Sequence, residues 1–435
     1  MNLASRHVVV LGAARSGRAA AALALREGAR VTVLDTGSAA QLEGLEGVEL
    51  RVGEAARADA RTYDLLVTSP GVDLATGWGR EVAARCPQAI GETELAARFF
   101  RGRMVGITGT NGKTTTTEMV AGLLAASGLR CLASGNYGLP LSEVVLDHPA
   151  TDAVALELSS FQLETVDELR LDVAVWLNFA PDHLDRYPSV AAYRAAKERI
   201  FRNLGPAQTT VVPPQEQALA ARSGARVRTF SVDDHAADFH LDGRKVVRDG
   251  QAVLDLDAVA VRGRHNYANL MAAWAAVEPL GAGDDAARRF LATYRPPHHR
   301  FEWVRALAGV DYVNDSKSTN LHSLETALVA EDRPVVLIAG GKEKGLDFRP
   351  LAPLVAARCR AVVAIGEIAP ALVAAWGGPV TVTPAPTLED AVACARARAR
   401  PGDLVLLSPG TSSFDWFRNY EDRGQRFAAI VGSLT

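Results

Sequence analysis

The sequence has few cysteines, and their spacing forms no recognisable site. Its 435 residues contain only Cys86, Cys131, Cys359 and Cys394, which lie far apart without a CxxC pair. This spacing excludes a disulfide framework and a zinc site built on paired cysteines. The protein is therefore expected in a reducing compartment.

Long apolar runs and a strong charge of one sign are also absent. No apolar segment approaches the length of a membrane span, and the N-terminus enters a strand-like segment without the apolar core of a signal peptide. The net charge of −3 gives no reason to expect nucleic acid. We therefore expect a soluble, cytoplasmic protein that binds neither nucleic acid nor a membrane.

Short β-branched apolar runs alternate with alanine- and leucine-rich helical segments along most of the chain. This alternation predicts an α/β fold with parallel sheets and crossover helices. The expected strands include residues 8–12, 30–35, 65–71, 103–109, 153–159, 172–178, 335–341, 361–366 and 404–410. Two Asp-Gly turns, at 242–243 and 249–250, predict a small antiparallel insertion in the middle of the chain.

Two boundaries divide the chain into three predicted domains. The first lies near Gly91, where a new strand, loop and helix unit begins, and the second lies at PPHHRFEW, whose paired prolines break any helix. A chain of 435 residues is too long for one hydrophobic core, which favours several domains. The predicted domains are residues 1–92, 93–298 and 299–435.

The segment GITGTNGKTTTTEMV, residues 106–120, has the form of a phosphate-binding loop with unusual spacing. The strict pattern GxxxxGK[ST] requires glycine where this chain has Ile107. A strand precedes the loop and a helix follows it, so Gly109 and Gly112 can offer backbone N–H groups to phosphate. Lys113 would then reach the β- and γ-phosphates, and Thr114 would hold Mg²⁺. The competing interpretation is a glycine-rich turn that caps a helix.

Three further side chains in the middle of the chain are chemically conspicuous. Glu157 interrupts an apolar strand, which requires a pairing partner or a metal. His183 follows another apolar strand, and Thr114, Glu157 and His183 together could bind Mg²⁺ beside ATP. At about 100° per residue, Lys197 lies inside the apolar stripe of its helix. The alternatives are a core salt bridge for Glu157, an ordinary loop histidine, and a lysine whose amine escapes to solvent.

Polar clusters also follow the expected strands at both ends of the chain. In the C-terminal part they contain Arg300, Asp315, Lys317, Thr319, Asn320, Lys344, Ser413 and Phe414. Such cations and hydroxyls suit an anionic small molecule and a nucleotide, although each could alone be a helix cap or a surface charge. Near the N-terminus, GAARSG is a weak dinucleotide fingerprint because Ala14 replaces the middle glycine. It remains suitable for another nucleotide.

Many collinear motifs, taken together, resemble those of the Mur ligases of bacterial cell-wall synthesis. They are TGTNGKTT, GNYGLP, LELSSFQLE, NFAPDHLDRY, AYRAAK, GRHNYAN, HRFE, NDSKSTN, GGKEKG and LSPGTSSFDWFRNYEDRG. The resemblance spans the whole chain and places the first glycine of the phosphate loop at Gly109. It implies a Rossmann-like UDP-binding domain, a central P-loop ATPase-type α/β domain and a C-terminal Rossmann-like domain that binds the amino acid.

The resemblance also implies roles for individual residues. The UDP-substrate site would contain Arg15, Ser16, Asp35, Thr36, Ser69, Pro70, Gly71 and Asn136. The ATP site would contain Gly109, Thr110, Asn111, Gly112, Lys113, Thr114, Thr115, Asn266, Arg300, Asp315 and Lys317. Two Mg²⁺ ions would be held by Thr114, Glu157, His183 and Lys197, the last matching a lysine that is carbamylated in the family. The catalytic residues would be Lys113, His183, Lys197 and Arg300.

The amino-acid pocket implied by the resemblance contains Thr319, Lys344, Ser413, Phe414 and Tyr420. Phe414 and Tyr420 stand where the family more often has leucine and phenylalanine, and Gly37 stands where it often has arginine. Within the family, the members that add D-glutamate to UDP-N-acetylmuramoyl-L-alanine are the most similar. The implied enzyme is an ATP-dependent, monomeric amide ligase of peptidoglycan precursor synthesis that forms an acyl phosphate.

Other functions remain open at this point. Ligases that add L-alanine, diaminopimelate or lysine, and folylpolyglutamate synthase, share the same superfamily, although the diaminopimelate-type DNPR motif is absent. An NAD(P)-dependent oxidoreductase would use GAARSG, and a non-catalytic nucleotide switch would use the phosphate loop alone. Phosphate release that depends on one amino acid would distinguish these classes.

Overall fold

The computed structural model describes residues 1–37, 46–183, 186–261, 263–295, 297–329 and 331–435. These residues form two compact units. The first contains Met1–Val259 and Asn269–Thr293, and the second contains Ala260–Ala268 and Tyr294–Thr435. Among the described residues, no helix has the length and apolar character that crossing a membrane requires.

The first sheet of unit 1 has five parallel strands in the order β3-β2-β1-β4-β5. The strands are β1 His7–Leu11, β2 Arg30–Asp35, β3 Val48–Val52, β4 Leu65–Thr68 and β5 Ala89–Gly91. The helices around them are α1 Arg15–Arg26, α2 Glu54–Arg57, α3 Gly77–Ala83 and α4 Glu92–Ala97. The order reverses beside β1, so the loops after β1 and β4 meet at a switch point where α/β sheets bind ligands.

The second sheet of unit 1 has nine strands in the order β14-β13-β12-β11-β10-β9-β6-β8-β7. Its strands are β6 Arg103–Thr108, β7 Cys131–Gly135, β8 Ala153–Glu157, β9 Val173–Trp176, β10 Thr209–Val212, β11 Arg226–Ser231, β12 Phe239–Asp242, β13 Lys245–Arg248 and β14 Gln251–Asp255. Its helices are α5 Lys113–Ala126, α6 Leu141–Asp147, α7 Ser160–Leu163, α8 Val190–Glu198, α9 Gln217–Ala221, α10 Arg264–Val277 and α11 Asp284–Thr293. Helix α10 begins among the residues of unit 2 and ends in unit 1.

The sheet of unit 2 has six strands in the order β15-β16-β20-β17-β18-β19. The strands are β15 Glu302–Leu307, β16 Val310–Asn314, β17 Val335–Gly340, β18 Cys359–Ile365, β19 Val382–Pro384 and β20 Leu404–Leu407. The helices are α12 Leu321–Val329, α13 Ala352–Arg358, α14 Ala369–Trp376, α15 Leu388–Arg398 and α16 Tyr420–Ser433. All pairs are parallel except β15 with β16.

The predicted α/β class with mainly parallel sheets is confirmed. The predicted antiparallel insertion is also confirmed, because β12, β13 and β14 pair antiparallel. The five-stranded and nine-stranded sheets share one apolar core that includes Val10 of β1, Val144 of α6 and Trp176 of β9. This shared core explains why residues 1–92 form one compact unit with the nine-stranded sheet, which we call the central sheet. The boundaries at 92/93 and 298/299 stay predictions.

Candidate active site

The loop between β6 and α5 folds around the side chain of Lys113. The Lys113 Nζ donates to the carbonyl oxygens of Gly109 and Thr110, each at 2.9 Å. Ile107 is fully buried within β6, so the loop begins only after this strand. Helix α5 has Gly112 at its N-cap and no side-chain cap, and its dipole favours an anion at this end. The unusual spacing therefore produces a loop with the form of a phosphate cradle.

Two asparagines lie against this loop. Asn178 follows β9, and its side chain exchanges two hydrogen bonds with the backbone of Asn111, at 2.9 Å and 3.1 Å. Gly112 has a left-handed φ of 83°, and a Cβ at this position would lie 2.4 Å from the Asn269 Oδ1. A side chain at Gly112 would therefore both strain the backbone and displace Asn269.

Lys197 reaches the same loop from α8. It is 1% exposed, and its Nζ donates to the Gly109 carbonyl oxygen at 2.9 Å, the oxygen that also accepts from Lys113. Burial, together with the nearby charge of Lys113, lowers the pKa of Lys197 to about 6. The amine is therefore mostly uncharged at neutral pH and does not escape to solvent.

Glu157, at the end of β8, is buried and faces the first turn of α5. Its Oε2 accepts from the Thr114 Oγ1 at 2.9 Å, and its Oε1 accepts from the Asn136 Nδ2 at 2.7 Å. These direct partners are neutral, so the interpretation as a core salt bridge is wrong for these contacts. The carboxylate and hydroxyl oxygens are ligands of the type that Mg²⁺ prefers.

The donor set near Glu157 fits Mg²⁺ better than a metal with an all-protein cage. Among the residues that the structure describes, no group of three or more His, Cys, Asp and Glu side chains could hold a metal ion. Mg²⁺ commonly takes one or two protein oxygens and completes its shell with water and phosphate oxygens. Glu157 and Thr114 beside a phosphate loop satisfy this requirement.

His183 is connected to Lys197 by an aromatic cluster. The His183 ring lies 5.0 Å from the Phe161 ring and 5.8 Å from the Tyr193 ring, measured between centroids. The Lys197 Nζ lies 5.0 Å from the centroid of the same Tyr193 ring. The backbone of His183 is left-handed, with a φ of 54°, and its side chain is 44% exposed. The structure thus places His183 close to the lysine and accessible to a ligand.

Some of the residues predicted to bind UDP lie at the carboxyl ends of strands in the five-stranded sheet. The Asp35 carboxylate accepts from the backbone N–H groups of Ala13 and Gly37, each at 2.7 Å. The Ser69 Oγ is buried without a hydrogen-bond partner among the described residues, and a Cβ on Gly12 would lie 2.9 Å from it. A buried hydroxyl without a partner, beside a turn that requires glycine, fits an incoming polar ligand.

Two other residues predicted to bind UDP, Arg15 and Pro70, contact segments that flank the central sheet. Arg15 donates to both carboxylate oxygens of Glu143, at 3.0 Å and 3.2 Å, and to the Gly138 carbonyl oxygen at 3.2 Å. Pro70 accepts through its carbonyl oxygen from Arg186 at 3.2 Å. Of the other residues predicted for this site, Ser16 and Thr36 are half-buried, and Gly71 and Asn136 are exposed. These contacts join the loops that contain Arg15 and Pro70 to segments beside the nine-stranded sheet.

In unit 2, Asp315 follows β16 and anchors the loop that contains Arg300. The Asp315 carboxylate accepts from the Phe301 backbone N–H at 3.1 Å and from the Ser408 Oγ at 2.9 Å. Burial raises the pKa of Asp315 to about 7, against the lowering effect of these hydrogen bonds and of Arg300. The backbone N–H of Lys317 donates to the His299 carbonyl oxygen at 3.0 Å, and this bond joins the two predicted ATP-binding segments.

The predicted amino-acid pocket lies at the same edge of the six-stranded sheet. Ser413 is buried, Phe414 is 64% exposed, and both follow β20. Tyr420 begins α16 and lies under the Lys317 ammonium, 3.6 Å from Nζ to the ring centroid. Lys344 is exposed in the loop after β17, and Thr319 is half-buried before α12. The predicted ATP residue Asn266 belongs to unit 2 and is buried.

Comparison with known families matches two segments of the chain. A model described as "Mur ligase middle domain" matches residues 107–277. A second, described as "Mur ligase, glutamate ligase domain", matches residues 299–410. The first segment contains the phosphate loop, Glu157, His183 and Lys197, and the second contains Arg300, Asp315 and Lys344.

Full-length relatives extend the match to both ends of the chain. A UDP-N-acetylmuramoylalanine–D-glutamate ligase from Anaeromyxobacter dehalogenans is 42% identical, over 99% of this chain and 98% of its own. The ligase of the same name from Geobacter metallireducens is 40% identical, over 100% of this chain and 99% of its own. The chain belongs to the Mur ligase family.

Solved Mur ligases have the same fold at low sequence identity. The MurF ligase from Thermotoga maritima, solved in complex with ADP, superposes with a TM-score of 0.62 at 17% identity, over 98% of this chain and 94% of its own. UDP-N-acetylmuramate-alanine ligase MurC from the same organism superposes with a TM-score of 0.58 at 18% identity, over 98% of this chain and 99% of its own. The fold class predicted from the resemblance is therefore confirmed.

Several residues that shape the site of this Mur ligase were not predicted from its sequence. Asn178 lies two residues after the end of β9, and the position of a polar residue after a buried strand is a signal that could have found it. Asn269 lies within the motif GRHNYAN, and Tyr193 lies four residues before Lys197 on the same helix face. Glu143 and Arg186 carry no local signal, because their contacts join segments distant in sequence.

Proposed function

We propose that this Mur ligase joins D-glutamate to UDP-N-acetylmuramoyl-L-alanine and converts ATP to ADP and phosphate. The observation that supports it most is the convergence of Lys113 and Lys197 on the Gly109 carbonyl oxygen, beside the Thr114 and Glu157 pair. Relatives named for this reaction share about two fifths of the sequence along its whole length. The proposal includes a cytoplasmic, monomeric enzyme of peptidoglycan precursor synthesis.

The reaction has two chemical steps. A carboxylate oxygen of the L-alanyl group attacks the γ-phosphorus of ATP, and the bond to the β,γ-bridging oxygen breaks to release ADP. The amine of D-glutamate, after losing a proton, then attacks the carbonyl carbon of the acyl phosphate, and phosphate leaves from the tetrahedral adduct. Lys113 holds the phosphates, and Arg300 neutralises charge that develops during transfer. The chain therefore acts mainly through positioning and electrostatics.

Glu157, Thr114 and His183 would hold two Mg²⁺ ions together with a modified Lys197. When bound, Mg²⁺ neutralises the charge of the phosphates and orients them. Lys197 has a lowered pKa, so its uncharged amine can attack the carbon of CO₂ and lose a proton to form a carbamate. This change replaces an uncharged amine with an anion and adds oxygen ligands at the end of α8.

The remaining roles follow the predicted pockets. Asp35, Ser69 and Asn136 would bind the UDP substrate with their neighbours on the same loops. Asn266, Asp315 and Lys317 would contact ATP. D-glutamate would bind among Thr319, Lys344, Ser413, Phe414 and Tyr420.

A substrate panel tests the proposal. Phosphate release from ATP is measured with UDP-N-acetylmuramoyl-L-alanine and, in turn, D-glutamate, L-glutamate, L-alanine, L-lysine and diaminopimelate. We expect release with D-glutamate and its loss, by at least about 10²-fold, in Lys113→Ala. Amino-acid-independent ATP hydrolysis, or NAD(P)H oxidation without ATP consumption, would contradict the proposal. Undiminished D-glutamate-dependent turnover by Lys113→Ala would contradict the role of the loop.

A further inference from the structure

The ammonium of Lys317 rests on the aromatic face of Tyr420. The Nζ lies 3.6 Å from the ring centroid, well within the range of a cation–π interaction. The two residues come from different segments, since Lys317 follows β16 and Tyr420 begins α16. Under the proposed function, the first contacts ATP and the second lines the D-glutamate pocket. With these roles, the ring would contact D-glutamate on one side and an ATP-binding ammonium on the other.

Hydrogen bonds connect the two segments that carry this ring and this ammonium. The Ser316 Oγ donates to the Tyr420 carbonyl oxygen at 2.8 Å, so the neighbour of Lys317 is bonded to the first residue of α16. Arg423, fully buried on the same helix, donates to the Ser316 Oγ at 3.0 Å and to the Ser316 carbonyl oxygen at 2.9 Å. These bonds fix the loop after β16 to the first turn of α16. The segments that carry Lys317 and Tyr420 are thus held together by hydrogen bonds close to both residues.

We propose that Tyr420 is a positioning residue for Lys317 and couples the amino-acid pocket to ATP binding. This inference rests on the proposed function. A lysine side chain loses considerable rotamer freedom when it is held in one place, and an aromatic face reduces that cost beforehand. Unlike a carboxylate, an aromatic ring carries no charge of its own that would neutralise an ammonium. D-glutamate that packs against Tyr420 would restrict the ring and so steady Lys317.

The coupling must act in both directions, because the two ligands share one thermodynamic cycle. If D-glutamate improves ATP binding through the ring, ATP improves D-glutamate binding by the same factor. A tyrosine that only fills space in the amino-acid pocket would change the affinity for D-glutamate alone. The two roles therefore predict different responses of the ATP affinity to a change at position 420.

The first measurement is the ATP dissociation constant by calorimetry, with and without D-glutamate, for wild type and Tyr420→Leu. We expect Tyr420→Leu to weaken ATP binding about fivefold and to remove the effect of D-glutamate on it. Trp416→Leu removes an exposed aromatic ring from the neighbouring segment and is expected to leave ATP affinity within about twofold. Equal ATP affinities of wild type and Tyr420→Leu would overturn the inference.

A double-mutant cycle separates the specific contact from a general change in structure. In a Lys317→Gln background, Tyr420→Leu should have no further effect on ATP affinity, because the cation is already absent. The same loss in both backgrounds would overturn the inference. Incorporating phenylalanine or a ring-fluorinated phenylalanine at position 420 keeps the shape while weakening the negative face of the ring. We expect only the fluorinated residue to weaken ATP binding, and equal affinities would also contradict the contact.

These outcomes are distinguishable from a failure of the proposed function. Nucleotide affinity is measured without turnover, so it tests the contact even if D-glutamate is not the substrate. The proposed reaction alone would be contradicted if Tyr420→Leu weakens ATP binding as expected, but wild type releases no phosphate with D-glutamate. This inference alone would be contradicted if wild type is active with D-glutamate, but Tyr420→Leu binds ATP as tightly as wild type.

Discussion

At the scale of single residues, the site is built on ionisable groups held in unusual surroundings. Lys197 is buried beside the ammonium of Lys113, and both donate to the Gly109 carbonyl oxygen. Burial of an amine disfavours its charged form, and a second cation adds to that effect. The protein therefore holds an uncharged lysine where a cation would be unstable, and stability must depend on pH through this residue.

We expect Lys197→Met to stabilise the protein at pH 7 in CO₂-free buffer. The pKa of Lys197 is about 6 in the folded protein and near 10.5 in the unfolded chain, so between these values unfolding takes up a proton. Wild-type stability from this group therefore rises with pH between about 6 and 10. The variant should be more stable by about 2 kcal/mol or more at pH 7, and the difference should shrink towards pH 10. Urea unfolding at several pH values checks this, and a pH-independent difference would contradict it.

Gly112→Ala is expected to impair the phosphate loop rather than the fold as a whole. The new Cβ would lie 2.4 Å from the Asn269 Oδ1, and the backbone φ is 83°. We expect ATP turnover to fall by at least about tenfold, with a loss of about 1 to 3 kcal/mol in stability. Adding Asn269→Ala should restore part of the stability, because it removes the clash but not the backbone strain. Full ATP turnover by Gly112→Ala would contradict this account of the loop.

At the scale of elements, the short helix α4 fastens the five-stranded sheet to the central sheet. Glu94 is 1% exposed and accepts from the backbone N–H groups of Asp167, Glu168 and Leu169, at 3.0, 3.1 and 2.9 Å. Arg98, one turn later, donates to the same carboxylate at 2.8 Å. Glu92 accepts from the Ser142 N–H at the start of α6, at 2.6 Å. Two buried glutamates of one helix therefore bind the segment before β9 and the start of α6, both of which flank the central sheet.

Glu94→Gln is expected to destabilise the protein by about 3 kcal/mol, because an amide cannot accept at both positions and leaves Arg98 without its buried partner. Glu168→Gln is the matched control. Its side chain is 69% exposed and its nearest contact with Arg98 is 3.7 Å, so a change within about 0.5 kcal/mol is expected. Denaturant unfolding of both variants measures the difference. Equal stabilities would show that α4 does not fasten the two sheets in this way.

At the scale of the whole molecule, the predicted ligands are divided between the two compact units. Every residue predicted to bind UDP lies in unit 1, and every residue predicted to bind D-glutamate lies in unit 2. A ligand stabilises the unit that binds it by an amount set by its concentration relative to its dissociation constant. Each substrate should therefore have its own thermal signature.

We expect calorimetric unfolding in two transitions that respond separately to ligands. UDP-N-acetylmuramoyl-L-alanine at about 100 times its dissociation constant should stabilise one transition by roughly 2.7 kcal/mol. D-glutamate should raise only the other. Glu94→Gln should lower the transition that responds to the UDP substrate, which assigns it to unit 1. A shift of both transitions by either ligand alone would contradict this division.

Much of this protein can be derived from the sequence because the relevant signals are local. A buried strand, a glycine-rich turn and a following helix predict the phosphate loop before any packing is known. Periodicity places Lys197 in the apolar stripe of α8 but leaves open whether its amine escapes to solvent, and the structure buries it. The α/β class and the antiparallel insertion follow from periodicity and turn residues in the same way.

The strand order, the shared core of unit 1 and the contacts of single side chains depend on segments distant in sequence. Sequence spacing does not indicate that Lys113 and Lys197 share one carbonyl oxygen, that Glu94 binds residues 167–169, or that Lys317 lies on Tyr420. Each contact requires two elements to be packed at a particular distance and angle, and side-chain periodicity specifies only which face is buried. The sequence therefore determined which chemical groups are present and on which elements, and tertiary packing decided which of them meet.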